Sequence, residues 1–169
     1  MSARFPPRVA QMHEFSHFDA EGAARMVDVG EKPVTRRRAR ASGRVRMRPE
    51  TAEAIRAGRT KKGDVLQVAR VAGMMAAKRC GELIPLCHNL PLDSLQVSFD
   101  FPGEDCVAVE AVAEATARTG VEMEALVAAS TAALSIYDMC KAADREMVIE
   151  RVQLEEKSGG RSGHFRRSP

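Results

Sequence analysis

Apolar positions recur along the chain with two periods, and these sort most of it into elements. Between Gly43 and Arg48 the pattern alternates, with Val45 and Met47 on one side and Arg44, Arg46 and Arg48 on the other. That is the mark of a strand with one wet or substrate-facing surface. Pro49 ends the strand and suits the first turn of a short helix through Ala52, Ile55 and Ala57, closing near Gly58. Asp64 can cap the next helix, with Gln67 at its third position. This helix is expected to run to about Cys80, to end at Gly81, and to bury Val65, Val68, Ala72, Met75 and Ala76. Pro85 and Pro91 bracket Leu86, Cys87, His88, Asn89 and Leu90 as a short ordered loop. Leu95, Val97 and Phe99 alternate before Pro102-Gly103, and Val107, Val109 and Ala111 after it, which predicts an antiparallel hairpin. Thr119 and Glu122 have the spacing of a capping box for a long helix through Ala143, and Met147 to Leu154 supplies a fourth core strand.

The order strand, helices, strand, strand, helix, strand predicts an α+β fold. It fits a ferredoxin-like β-α-β-β-α-β two-layer sandwich with an additional N-terminal helix. Residues 1–24 carry no sustained period and read as a flexible N-terminal tail, 25–165 as a single domain, and 166–169 as a flexible C-terminus. At 169 residues, 44% apolar and 29% charged, the chain can bury one substantial core and lacks the composition of a disordered protein. With no run of about eighteen apolar residues and no apolar stretch behind Arg4, Pro6, Pro7 and Arg8, neither a membrane span nor a signal peptide is expected. A cytoplasmic protein without a membrane partner is the expectation. Cys80, Cys87, Cys106 and Cys140 have no paired short spacing and read as reduced, buried thiols.

Charge adds a direction. The net charge of +3 favours anionic partners but is too small to indicate nucleic acid, and one tyrosine with six phenylalanines offers few stacking platforms for RNA. Arg36, Arg37, Arg38, Arg40, Arg44, Arg46 and Arg48 form one basic block, open to reading as solvated surface, anion site or subunit contact. Lys62 beside Gly63 can approach a ligand closely, although a loop lysine in solvent explains it as well. His88 lies in an otherwise apolar segment, where a satisfied core histidine is as common as a catalytic one. Asp138 and Lys141 share one helix face, either as an exposed ion pair or, if partly buried, as a proton-transfer pair. On that helix Glu124 falls about 40° from Asp138 but about 21 Å away along the axis, and Glu122 points about 160° away. One intrachain pocket using Glu122 and Asp138 together is hard to build. The run Lys157-Ser158-Gly159-Gly160-Arg161-Ser162-Gly163 is suited to cradling phosphate oxygens, as a flexible turn also would be, and is no Walker motif. No cysteine or histidine spacing matches a structural zinc site, and a magnesium ion held by substrate phosphates would leave little trace in the sequence.

Six segments together carry a specific resemblance. They are Met26-Val27-Asp28-Val29, Lys62-Gly63-Asp64, Ile84-Pro85-Leu86-Cys87-His88, Thr119 through Leu126, Tyr137-Asp138-Met139-Cys140-Lys141, and Lys157 through Gly163. In this order the chain resembles the MoaC family, the cyclic pyranopterin monophosphate synthases of molybdenum cofactor biosynthesis. The resemblance implies a lyase that converts 3',8-cyclo-7,8-dihydroguanosine triphosphate to cyclic pyranopterin monophosphate and pyrophosphate. It carries Lys62, Asp138 and Lys141 over as catalytic residues, and His88, Glu122, Glu124 and Lys157 as substrate-binding residues, to which the phosphate-cradle reading adds Arg161. It implies no certain cofactor. It also implies a hexamer of three dimers with pockets at subunit contacts. Asn89 stands where the family often has proline, and Lys61 where histidine is common, differences expected to tune the loops.

Overall fold

The computed structural model describes residues 22–168. The expected N-terminal tail therefore lies, up to position 21, outside the described residues. The elements follow in the order β1 (Thr35–Arg46), α1 (Pro49–Arg56), α2 (Val65–Lys78), α3 (Cys80–Leu83), β2 (Ser94–Asp100), β3 (Cys106–Ala117), α4 (Glu122–Cys140), β4 (Val148–Ser158) and β5 (Phe165–Arg166). They build one five-stranded sheet in the order β2-β3-β1-β4-β5, antiparallel at every pairing. Strands β2-β3-β1-β4 with α2 and α4 on one side make the ferredoxin-like sandwich, and β5 extends its edge. The additional helix is α1, which follows β1; no helix precedes β1 among the described residues.

Strand β1 begins at Thr35, eight residues before the alternation was legible, because arginines occupy its outer face. Arg37, Ala39, Ala41, Gly43 and Val45 point into the core, while Arg36, Arg38, Arg40, Arg44 and Arg46 point away. On that outer face Arg36 and Arg38 pair with Glu114 at 2.8 and 3.4 Å, and Arg40 with Glu110 at 3.0 Å. Much of the basic block is thus neutralised across β1, β3 and β4, each exposed pair contributing about 0–1 kcal/mol.

Helix α4 lies across β1, β3 and β4 and is buried along Ala125, Ala128, Ala129, Ala132, Ala133 and Ile136. Helix α2 packs on α4 through Val65, Ala69, Gly73 and Ala77, one position off the face the sequence suggested. The cause is close approach. A Cβ on Gly73 would lie 2.8 Å from the Ala128 carbonyl oxygen, so the small residues meet α4 while Val68, Val71 and Met75 stay exposed. Size, rather than hydrophobicity, selects the buried face.

Two expected helix ends also shift. The Asp64 cap is as anticipated, its carboxylate accepting from the Gln67 amide at 3.0 Å. Gly81, however, terminates nothing: α2 ends at Lys78 and Gly81 lies inside α3. No capping box forms at α4, whose N-cap is Val121 without a side-chain bond; Glu122 turns instead toward Lys157. The same helix ends at Cys140, short of Ala143. Beyond β4, the Arg167 amide bonds to the Glu155 carbonyl oxygen, so the boundary expected after residue 165 falls inside paired structure.

Candidate active site

The long axis of α4 divides the chemistry. At its C-terminal end, Lys141 donates to the Asp138 carboxylate at 2.6 Å, and Lys62 reaches the Asp138 carbonyl oxygen at 3.1 Å. Lys62 arrives there because Gly63, at φ 90°, turns the chain sharply ahead of the Asp64 cap. The hydrogen bond from Lys141, its positive charge and that of Lys62 hold the Asp138 carboxyl below its ordinary range. The same bond and the negative charge of Asp138 raise Lys141. Both side chains are more than half exposed, so within one chain burial has only a minor effect on the pair. A cavity of about 450 Å³ beside it is lined by Lys61, Lys62, Met139 and Cys140.

At the N-terminal end, two cavities of about 510 and 400 Å³ share Lys32, Thr119, Gly120 and Glu122 and so form one continuous depression. The larger holds Lys157 and Arg161; the smaller holds Cys87 and His88 between Val27, Val29, Ile84 and Leu86. Lys157 lies 3.7 Å from Glu122 and is also bonded to the Ser162 hydroxyl. The glycine turn after β4 is shaped by contact as well as by dihedral angle. Gly159 and Gly160 have φ of 98° and 75°, and a Cβ on Gly160 would fall 1.6 Å from Arg37 Nη1.

Sequence reasoning missed Lys32 and Arg118 in this site and left Arg37 undistinguished within the basic block. Arg37 is 8% exposed and donates to the carbonyl oxygens of Ala117 and Arg118 at 3.2 and 3.1 Å. No carboxylate pairs with it among the described residues, so its positive charge is left to the cavity it lines. Lys32, Arg118, Lys157 and Arg161 line the same cavity, with Glu122 as the opposing charge. An arginine within the alanine row of β1 was the available signal.

Glu124 does not reach either N-terminal cavity. It is 2% exposed and accepts from the Cys87 thiol at 3.8 Å. Burial pushes its carboxyl above the ordinary carboxylate range, aided by the charge of Glu122, and burial likewise raises the Cys80 and Cys87 thiols. The face shared by Glu124 and Asp138 in projection is covered at one end of α4 and open at the other.

His88, Glu122, Lys157 and Arg161 therefore come together, Lys62, Asp138 and Lys141 come together, and the length of α4 keeps the groups about 24 Å apart. Fold and site define a class: an α+β protein with a cation-rich depression and a separate lysine–carboxylate pair. The MoaC family profile matches residues 26–160, and the chain belongs to that family. A cyclic pyranopterin monophosphate synthase from Thermomicrobium roseum is 60% identical over 157 residues, covering 92% of this chain and 95% of that protein. One from Brevibacillus brevis is 53% identical over 154 residues, covering 91% and 96%. Cyclic pyranopterin monophosphate synthase 3 of Mycobacterium tuberculosis is 57% identical over 152 residues, covering 90% and 86%.

Proposed function

We propose that this chain is a cyclic pyranopterin monophosphate synthase, a lyase that converts the cyclised guanosine triphosphate intermediate to cyclic pyranopterin monophosphate and pyrophosphate. Family membership supports the reaction. The observation that carries the mechanism is the division of cations between the two ends of α4. A triphosphate needs several positive charges at one end of the substrate, and the depression around Arg37, Lys157 and Arg161 supplies them. The base and ribose need a proton-exchanging pair at the other, and Asp138 with Lys141 supplies it.

In this reading a ribose-derived hydroxyl attacks the α-phosphorus and its proton passes to the protein. The bond from the α-phosphorus to the β-phosphate oxygen breaks, and pyrophosphate leaves with both bonding electrons. Lys157 and Arg161 stabilise the charge that develops on it, while Arg37 holds the phosphates of the bound substrate. Asp138 and Lys141 act as a unit in ring opening and rebuilding, with Lys141 first and Lys62 second in favouring the ionised Asp138. His88 and Glu122 orient the substrate beside the cradle, and Glu124 contributes through Cys87, the neighbour of His88.

One chain cannot bring both halves to one substrate. We therefore include in the proposal a homo-oligomer in which the C-terminal end of α4 from one chain meets the depression of another; the family resemblance implies a hexamer of three dimers. The exposed Val68, Val71, Met75 and Leu134 are consistent with further burial. Contact with a second chain would also desolvate the exposed Asp138–Lys141 pair. A cytoplasmic setting suits the four free thiols.

The test is turnover of the cyclised guanosine triphosphate by purified protein, following both products. Wild type should release one pyrophosphate per pterin, and Lys62→Ala and Lys141→Ala should fall by about a hundredfold or more while staying folded. Near-normal turnover by both variants would remove the assigned roles, and a folded wild type that forms neither product would overturn the reaction.

A further inference from the structure

The fold gathers three metal-ligating side chains that the sequence keeps apart. The Sγ atoms of Cys80 and Cys87 are 3.8 Å apart, and Cys87 Sγ is 3.8 Å from Glu124 Oε1. All three donor atoms lie within 4.8 Å of one another. Two sulfurs at about 2.3 Å from one tetrahedral ion sit about 3.8 Å apart, so the thiols already have the edge length of a zinc site. A disulfide would require them to close to about 2.05 Å.

A second observation is independent of the thiols. Glu124 is 2% exposed, yet its Oε2 has no hydrogen-bond partner among the described residues. A buried carboxylate oxygen left without a donor costs about 1–3 kcal/mol or more, and coordination of a cation by the carboxylate would offset that cost. Cys80 and Glu124 also border a cavity of about 420 Å³, with Gly81 and Asn89, which leaves room for a fourth ligand such as water.

We propose that Cys80, Cys87 and Glu124 form a binding site for one zinc-class divalent ion, next to the cavity that holds His88, which Cys87 also lines. Two soft thiolates and one carboxylate select zinc over magnesium or calcium, which take oxygen ligands. The ion ties three segments together: α3, the loop after it and the first turn of α4. His88 follows Cys87 directly and Glu122 precedes Glu124 by two residues, so the ion fixes the relative position of two substrate-facing side chains without touching substrate.

The test uses the full chain, reduced and stripped with a chelator, titrated with cobalt(II) as the spectroscopic probe and with zinc in competition. One equivalent should bind per chain, with thiolate-to-cobalt charge-transfer and tetrahedral ligand-field bands that zinc abolishes. Cys80→Ser and Glu124→Gln should each weaken binding by about tenfold or more, and Cys106→Ser should not. Should either variant fail to fold, mass mapping of the wild type probes the same ligands: zinc should shield Cys80 and Cys87 from alkylation while Cys106 reacts as before. Absence of stoichiometric binding, cobalt spectra without thiolate bands, binding undiminished in both variants, or unshielded Cys80 and Cys87 would each overturn the proposal. Because the readout is metal binding, it is separable from failure of the proposed turnover.

Discussion

Asp144 illustrates how much one buried side chain can organise. It is 2% exposed and accepts from the Arg48 amide at 2.7 Å and the Thr51 hydroxyl at 3.3 Å. It thereby caps α1 from a distant segment at the end of the helix where the dipole favours a negative charge. Burial alone would raise its carboxyl, but the amides of Arg48 and Glu146 outweigh it and hold it below the ordinary value of 3.8. A depressed carboxyl contributes stability that is present above that ordinary value and is lost as pH falls through the lower, folded one. Asp144→Asn should therefore cost about 1–3 kcal/mol at neutral pH and less in acid below the carboxylate range, as read by urea unfolding across pH. A penalty that grew as pH fell would contradict this assignment. The sequence revealed the Asp64 cap because donor and acceptor are three residues apart. Asp144 was invisible because its partner lies 96 residues away, and Thr119-Glu122 misled because Glu122 has Lys157 as a competing partner.

At the scale of elements, the glycine turn after β4 connects packing to binding. Its position against Arg37 requires both a positive φ and the absence of a Cβ at Gly160. Gly160→Ala should cost about 1–2 kcal/mol from backbone strain alone. It should also raise KM more than it lowers kcat, because Arg37 is displaced in the phosphate-facing cavity and the Asp138–Lys141 pair is untouched. A variant with unchanged stability and unchanged KM would disprove the coupling. The hairpin of β2 and β3 was legible because alternation and Pro102-Gly103 agree. The start of β1 was not, since residues 36–38 are all arginine and hide a period of two. The face of α2 was misread because large apolar residues look like core, whereas the close approach to α4 past Val65 places Ala69, Gly73 and Ala77 there.

Over the whole molecule, the six family segments in the sequence located both ends of α4, and helix geometry alone argued against one intrachain pocket. What could not be read was the convergence of Cys80 and Cys87 with Glu124, which is 37 residues beyond Cys87, because no spacing rule links a loop, a short helix and a helix turn. The central claim is that the two half-sites belong to different chains. It is tested most directly by mixing inactive variants with opposite lesions, Lys141→Ala and Glu122→Gln, under conditions that exchange subunits, and measuring pyrophosphate and cyclic pyranopterin together. In an equimolar mixture, half of the partners keep each end intact, so about a quarter of the sites regain both and turnover should return to about that fraction of wild type. If subunits exchange and the mixture stays as inactive as its components, the active site does not combine the two ends of α4 from different chains.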